Sequence, residues 1–224
     1  MINAVADHFD LIARDYDNYK KNSWYYYNSL KKLLQDNIGI NKKILEIGCG
    51  TGDLLVSLKP SSGVGIDISK EMIKVAKRKN KKNKDVWFTT KPIPKVKGIY
   101  DYIIMCDVVE HVPDLKSLFE DICSLMGLKT IFIITMANPL WEPLLIVAEK
   151  LKLKMPEGKH YRASAQEIVC LLESSGMKVI RHNKSLLLPV YIPVISTIVN
   201  RLFSGTLQNF CFIEYLIIKK DESI

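Results

Sequence analysis

The sequence predicts an α/β protein: a doubly wound, seven-stranded sheet, mostly parallel with the last strand antiparallel, behind an N-terminal helical cap. Three observations lead there. Short β-branched runs alternate with stretches of helical periodicity, as in parallel strands joined by crossover helices. Most strand runs are apolar on consecutive residues, as expected of a sheet covered on both faces. The first run opens into a glycine-rich turn that leads directly into a helical stretch.

Residues 1–42 read as the cap, with Phe9, Ile12, Ala13 and Tyr16 at the i, i+3, i+4, i+7 spacing of one helix face. Residues 43–136 hold five strands, near 43–47, 63–67, 86–89, 100–106 and 129–136. Helices are expected between them near 53–58, 69–79 and 115–126. In residues 137–224, Ser164 and Glu167 form the capping box of another helix. The runs 177–186 and 208–219 follow without a conventional crossover helix, so they should pair antiparallel at the sheet edge. No repeat or Gly/Ser-rich linker interrupts the 224 residues, and one domain is the simplest organisation.

Composition narrows the function. With 48% hydrophobic and 25% charged residues, the chain is neither a disordered tail nor a fibre nor a solenoid. The five cysteines are odd in number and form no CxxC pair, which argues against a disulfide framework or a structural zinc site. They suit a reducing, cytoplasmic setting. The first ten residues carry acids and no apolar run, so no secretory signal is expected there. The net charge of +8 is concentrated: Lys74, Lys77, Arg78, Lys79, Lys81, Lys82 and Lys84 lie within eleven residues. No aromatic residue interleaves with them as a base-stacking platform would need, so they read as a solvated face and no nucleic-acid partner is expected.

Residues 186–203 approach the ~20 residues of a membrane span, but Pro189, Pro193, Asn200 and Arg201 argue against spanning. Within them Val194, Ile195, Ile198, Val199, Leu202 and Phe203 form one helical stripe. Three readings stand: packing onto the sheet, an apolar lid, or peripheral membrane contact through 192–203, at the inner membrane face. Nothing in the sequence sets an oligomeric state.

The chemistry is carried by Leu45-Glu46-Ile47-Gly48-Cys49-Gly50-Thr51-Gly52-Asp53. A dinucleotide fingerprint needs glycine at 53, where aspartate stands, and no phosphate-binding lysine is present for a nucleotide-triphosphate loop. The pattern is GxGxG preceded by an acid, and a second acid, Asp67, ends the next strand.

LEIGCGTGDLL (45–55), GIDIS (65–69) with Met72, YDYIIMCDVVEHVPD (100–114) and HFDLIARDYD (8–17) together resemble the class I S-adenosylmethionine-dependent methyltransferases over nearly the whole chain. The resemblance implies S-adenosylmethionine as cofactor. Gly48, Gly50 and Gly52 would bring backbone amides to its methionyl carboxylate, with Tyr16 beside them and Tyr19 in reserve. Glu46 would face the methionyl amine and Asp67 the ribose diol, the alternative for Asp67 being a helix cap. Ile68 and Met72 would flank the adenine, unless Met72 is simply core. Cys106 and Asp107 would border the cofactor at the end of the fourth strand. Relatives often carry an acid after the third strand; here Thr90 or a backbone carbonyl stands in.

For catalysis the candidates are Asp107 and His111, as base or as positioning groups. An ordinary helix histidine is the alternative for His111. Asn138, Trp141, His160 and Tyr161, with Glu142 and Arg162, are candidates for the acceptor side. No metal-ligand cluster and no NPPY motif are present. The expected function is methyl transfer to a small-molecule or lipid- or glycan-linked acceptor; the alternatives are a non-catalytic S-adenosylmethionine-binding module and an RNA methyltransferase.

Overall fold

A computed structural model describes residues 2–151, 155, 161 and 163–222. Three helices lead the chain: α1 (Ile2–Ile12), α2 (Tyr16–Asn22) and α3 (Trp24–Asn37). The cap stripe is thus divided. The chain turns after Ile12, whose carbonyl accepts from the Asp15 amide at 3.0 Å, and Tyr16 opens the next helix. Asp10 of α1 accepts from the Ser69 hydroxyl and from the Glu71 amide at 3.0 Å, which ties the cap to the body.

Strands β1 (Lys43–Ile47), β2 (Ser62–Ile66), β3 (Val86–Thr89), β4 (Tyr102–Cys106) and β5 (Ile131–Ala137) form the parallel part of the sheet. Strands β6 (Met177–Ser185) and β7 (Ile213–Lys220) complete it in the order β3-β2-β1-β4-β5-β7-β6. β7 runs antiparallel to both of its neighbours. It begins at Ile213 rather than near 208 because Gln208–Phe210 winds into a 3-10 turn.

The helices α4 (Asp53–Ser57), α5 (Lys70–Lys79), α6 (Leu115–Leu125) and α8 (Ala165–Ser174) cover the sheet, and α8 starts on the anticipated Ser164–Glu167 capping box. Two helices stand apart: α7 (Glu142–Lys150), whose pattern the sequence did not announce, and α9 (Ile195–Phe203), between β6 and β7. No residue of α7 is buried.

Adjacent strand residues feed two cores, which is why the runs are continuously apolar. On one face Leu45, Ile103 and Phe132 pack with Phe119 and Ile122 of α6 and Ile168 and Leu172 of α8. On the other, Ile44, Ile104 and Ile133 pack with Leu30 and Leu34 of α3, Leu55 of α4 and Ile73 of α5. The strand order changes direction between β1 and β4, and the loops after those strands open at one carboxyl edge, where ligands bind in such sheets.

Candidate active site

The loop after β1 is built for shape. Gly48, Gly50 and Gly52 all hold positive φ, at +72°, +51° and +82°. A Cβ on Gly48 would collide with the Val108 side chain, and one on Gly50 would lie 3.2 Å from the Tyr16 ring. The amides are largely spent inside the protein, contrary to the expectation that they wait for a carboxylate. Gly48 and Cys49 donate to the Ile66 carbonyl at 2.8 and 3.0 Å, Gly50 to Asp67 at 2.8 Å, and Gly52 to the Cys49 carbonyl at 2.9 Å. The glycines let the chain fold tightly back on β2.

Two carboxyl groups flank this loop. Glu46 is buried and accepts one backbone hydrogen bond, from Leu55 at 3.1 Å. Burial pushes its pKa up to about 8, against the opposing pull of the Lys20 charge and the Leu55 amide. Asp67 accepts from the Gly50 amide through one oxygen and from the Ser69 amide, at 2.9 Å, through the other. Burial raises its pKa too, and those two amides hold the rise back. Each oxygen keeps a lone pair, because a carboxylate offers about four acceptor sites. Asp67 is not the cap of α5: that place belongs to Ser69, whose hydroxyl accepts from the Met72 amide at 3.0 Å.

The cap closes one side. Tyr16 lies against Gly50, and the Lys20 ammonium sits 4.8 Å from the centre of its ring and 4.9 Å from that of Tyr27. Lys20 escaped the sequence reading; its one signal was a place one helical turn beyond Tyr16. Lys79, counted there as part of a solvated face, instead bridges Asp17 of the cap at 2.6 Å and Asp53 of α4 at 2.7 Å.

On the β4 side, Asp107 holds positive φ at +55°. Tyr26 of α3 donates to its two carboxylate oxygens, at 2.8 and 2.6 Å. Burial, then the charge and hydrogen bond of Asp107, drive the Tyr26 pKa well above its ordinary value, so the phenol stays a donor. The Cys106 thiol is likewise pushed up by burial, so it is no thiolate nucleophile. His111 ends a 3-10 turn (Val109–His111) and meets the Phe9 ring edge-on at 5.2 Å.

The remaining candidates divide. Ile68 is half-exposed two residues past β2, Met72 is buried in α5, and Thr90 is exposed just past β3. Asn138 is buried and spent: its side-chain nitrogen donates to the carbonyls of Asn209 and Cys211, and its oxygen accepts from Leu140. Trp141 donates to the Phe210 carbonyl at 2.8 Å and packs on Phe212. These two residues fasten the loop after β5 to the segment before β7. The Tyr161 amide donates to the Glu110 carbonyl at 2.6 Å, which places Tyr161 beside the loop after β4. His160 and Arg162 lie outside the described residues.

Comparison with known proteins agrees with this arrangement. A family model described as a methyltransferase domain matches residues 19–182. An uncharacterized protein of Methanocaldococcus jannaschii is 31% identical over 142 residues, covering 60% of this chain and 52% of the relative. A ubiquinone biosynthesis O-methyltransferase of Pelagibacter ubique is 34% identical over 128 residues, covering 54% and 53%. The chain therefore matches about half the length of these curated relatives. The fold also superimposes on an S-adenosylmethionine-dependent methyltransferase from Thermotoga maritima with a TM-score of 0.71 at 14% identity, covering 97% of this chain and all of that one. With the family model spanning most of its length, the chain belongs to the class I S-adenosylmethionine-dependent methyltransferase family.

Proposed function

We propose that the protein binds S-adenosylmethionine at the loop after β1 and transfers its methyl group to a small apolar acceptor. The observation that carries this reading is the pair of buried acids, Glu46 and Asp67, on either side of a glycine turn at the carboxyl edge of the sheet. The donor set suits this cofactor. Glu46, protonated about half the time near pH 8, gains a partner in a methionyl ammonium, and Asp67 retains acceptor sites for a ribose diol. Tyr16 and Lys20 stand over the same loop, where a cation suits the methionyl carboxylate. Ile68, Met72 and Thr90 border the adenosine side.

When bound, the cofactor supplies an activated methyl group on a sulfonium that leaves as a neutral thioether. The protein's task is alignment and exclusion of water. Tyr26 locks the Asp107 carboxylate, which makes Asp107 a positioning group for the cofactor edge rather than a free base. His111, one turn further on the same loop, takes the acceptor proton as the general base. Apolar acceptors are favoured by the relative named for ubiquinone biosynthesis. Titration calorimetry with S-adenosylmethionine and S-adenosylhomocysteine tests the reading. Both should bind below millimolar concentration; absence of heat for both overturns it. Asp67→Ala should weaken binding tenfold or more, from the ~1.5–3 kcal/mol typical of hydrogen bonds to a charged group.

A further inference from the structure

The insert helix α9 is packed inside out. Its only buried residue is the polar Ser196, whose hydroxyl accepts from the Ile192 amide and donates to the Val190 carbonyl, both at 2.7 Å. Asn200, one turn on, accepts from the Leu188 amide at 2.8 Å and donates to the Tyr25 hydroxyl at 3.1 Å. The polar side of the helix is therefore the anchored side. Val194, Ile195, Ile198, Leu202 and Phe203 are left in solvent, Leu202 with 63% of its surface exposed. The sequence reading in which this stripe packs onto the sheet does not hold.

A second group of exposed apolar residues lies on α7. Trp141 ties the start of α7 to the Phe210 carbonyl, and Leu144 and Val147 along α7, with Leu151 just past its end, are exposed as well. Large apolar side chains exposed in this number suit an interaction site.

We propose that this surface docks on an anionic bilayer, with α9 lying in the headgroup plane. Residues 186–212 contain no acid and one charge, Arg201, so nothing in the stretch repels an anionic surface. Trp24 and Tyr191 are both about half-exposed, their tilted rings 5.0 Å apart at the start of the insert; paired indole and phenol rings suit the water–hydrocarbon boundary. Lys21 and Lys31 line an open groove with Trp24 and supply positive charge at the same margin.

The placement has a use. Tyr25, which holds Asn200, precedes Tyr26, which holds Asp107, so the docked helix and the catalytic edge share one turn of α3. Apolar acceptors dissolved in the bilayer would then reach the site without crossing water. The docking itself does not depend on the methyltransferase reading.

The experiment is co-sedimentation of the full chain with vesicles of phosphatidylglycerol and phosphatidylcholine in equal parts, and with pure phosphatidylcholine. Binding to the anionic vesicles is expected, weaker in high salt and weaker on phosphatidylcholine. Leu202→Asp and Ile198→Asp should each lower it about tenfold while leaving the melting temperature and S-adenosylmethionine affinity unchanged. Protein that stays in the supernatant with both vesicles overturns the proposal, as does equal sedimentation of the folded variants. A dimer in solution that Leu202→Asp dissociates, without vesicle binding, overturns it in favour of a second copy. Loss of cofactor binding in the unmodified chain would instead count against the methyltransferase reading.

Discussion

At Glu46 a carboxyl group sits where water does not reach, beside a backbone amide and within the field of Lys20. Its ordinary value is 4.5 and its folded value is about 8, so the folded chain holds a proton that the unfolded chain releases. Stability from this group is complete below about 4.5 and is lost as pH rises toward 8. The melting temperature of the cofactor-free protein should fall from about pH 5 to about pH 8, and Glu46→Gln should flatten that slope. Differential scanning calorimetry across this range checks it; a slope unchanged in the variant would show that another group is responsible. A bound ammonium reverses the preference, so cofactor binding at neutral pH should release a proton. That release is measurable as a binding heat that depends on the buffer's ionisation enthalpy.

At the scale of elements, the turn from β1 into α4 is strained by design. Its glycines hold left-handed backbone, and Gly48 also makes room for Val108 of the loop after β4. Gly48→Ala combines an unfavourable φ with a collision, and about 2 kcal/mol or more should be lost. Urea unfolding is the measurement, with an unchanged m-value expected. This turn was legible because its requirements are local: an apolar strand, glycines at fixed offsets and acids at strand ends are written in consecutive residues. The role of its amides was not. Whether an amide faces a ligand or the Ile66 carbonyl depends on how tightly the turn folds back on β2, and no spacing rule states that. The same holds for α9: periodicity identified a striped helix correctly, but the anchoring of its polar side by Leu188 and Tyr25 set which side faces outward.

Across the whole molecule, the lysine-rich stretch is less uniform than its composition. Lys79 joins α5, α2 and α4 through Asp17 and Asp53, while Lys74 pairs with the exposed Glu71 of its own helix. Replacing Lys77, Lys81, Lys82 and Lys84 together by glutamine should leave cofactor affinity within about twofold, since exposed charges beyond a Debye length are screened. Lys79→Gln should instead loosen the cap, raising hydrogen exchange in residues 2–22 with at most about 1 kcal/mol of global stability lost, as befits a partly exposed ion pair.

The parallel sheet, its glycine turn and its two acids could be read directly along the chain, because strand periodicity and turn chemistry act between near neighbours. Most of the strand boundaries shifted by only a residue or two. The remainder rests on contacts between residues far apart in sequence. Tyr26 meets Asp107 across 81 positions, Tyr25 meets Asn200 across 175, and Asn138 is consumed by carbonyls more than seventy residues away. Such partners are chosen by which surfaces the folded layers bring together. The glycine turn and its two acids therefore followed from the order of residues, while the state of Asp107 and the outward face of α9 were set by packing.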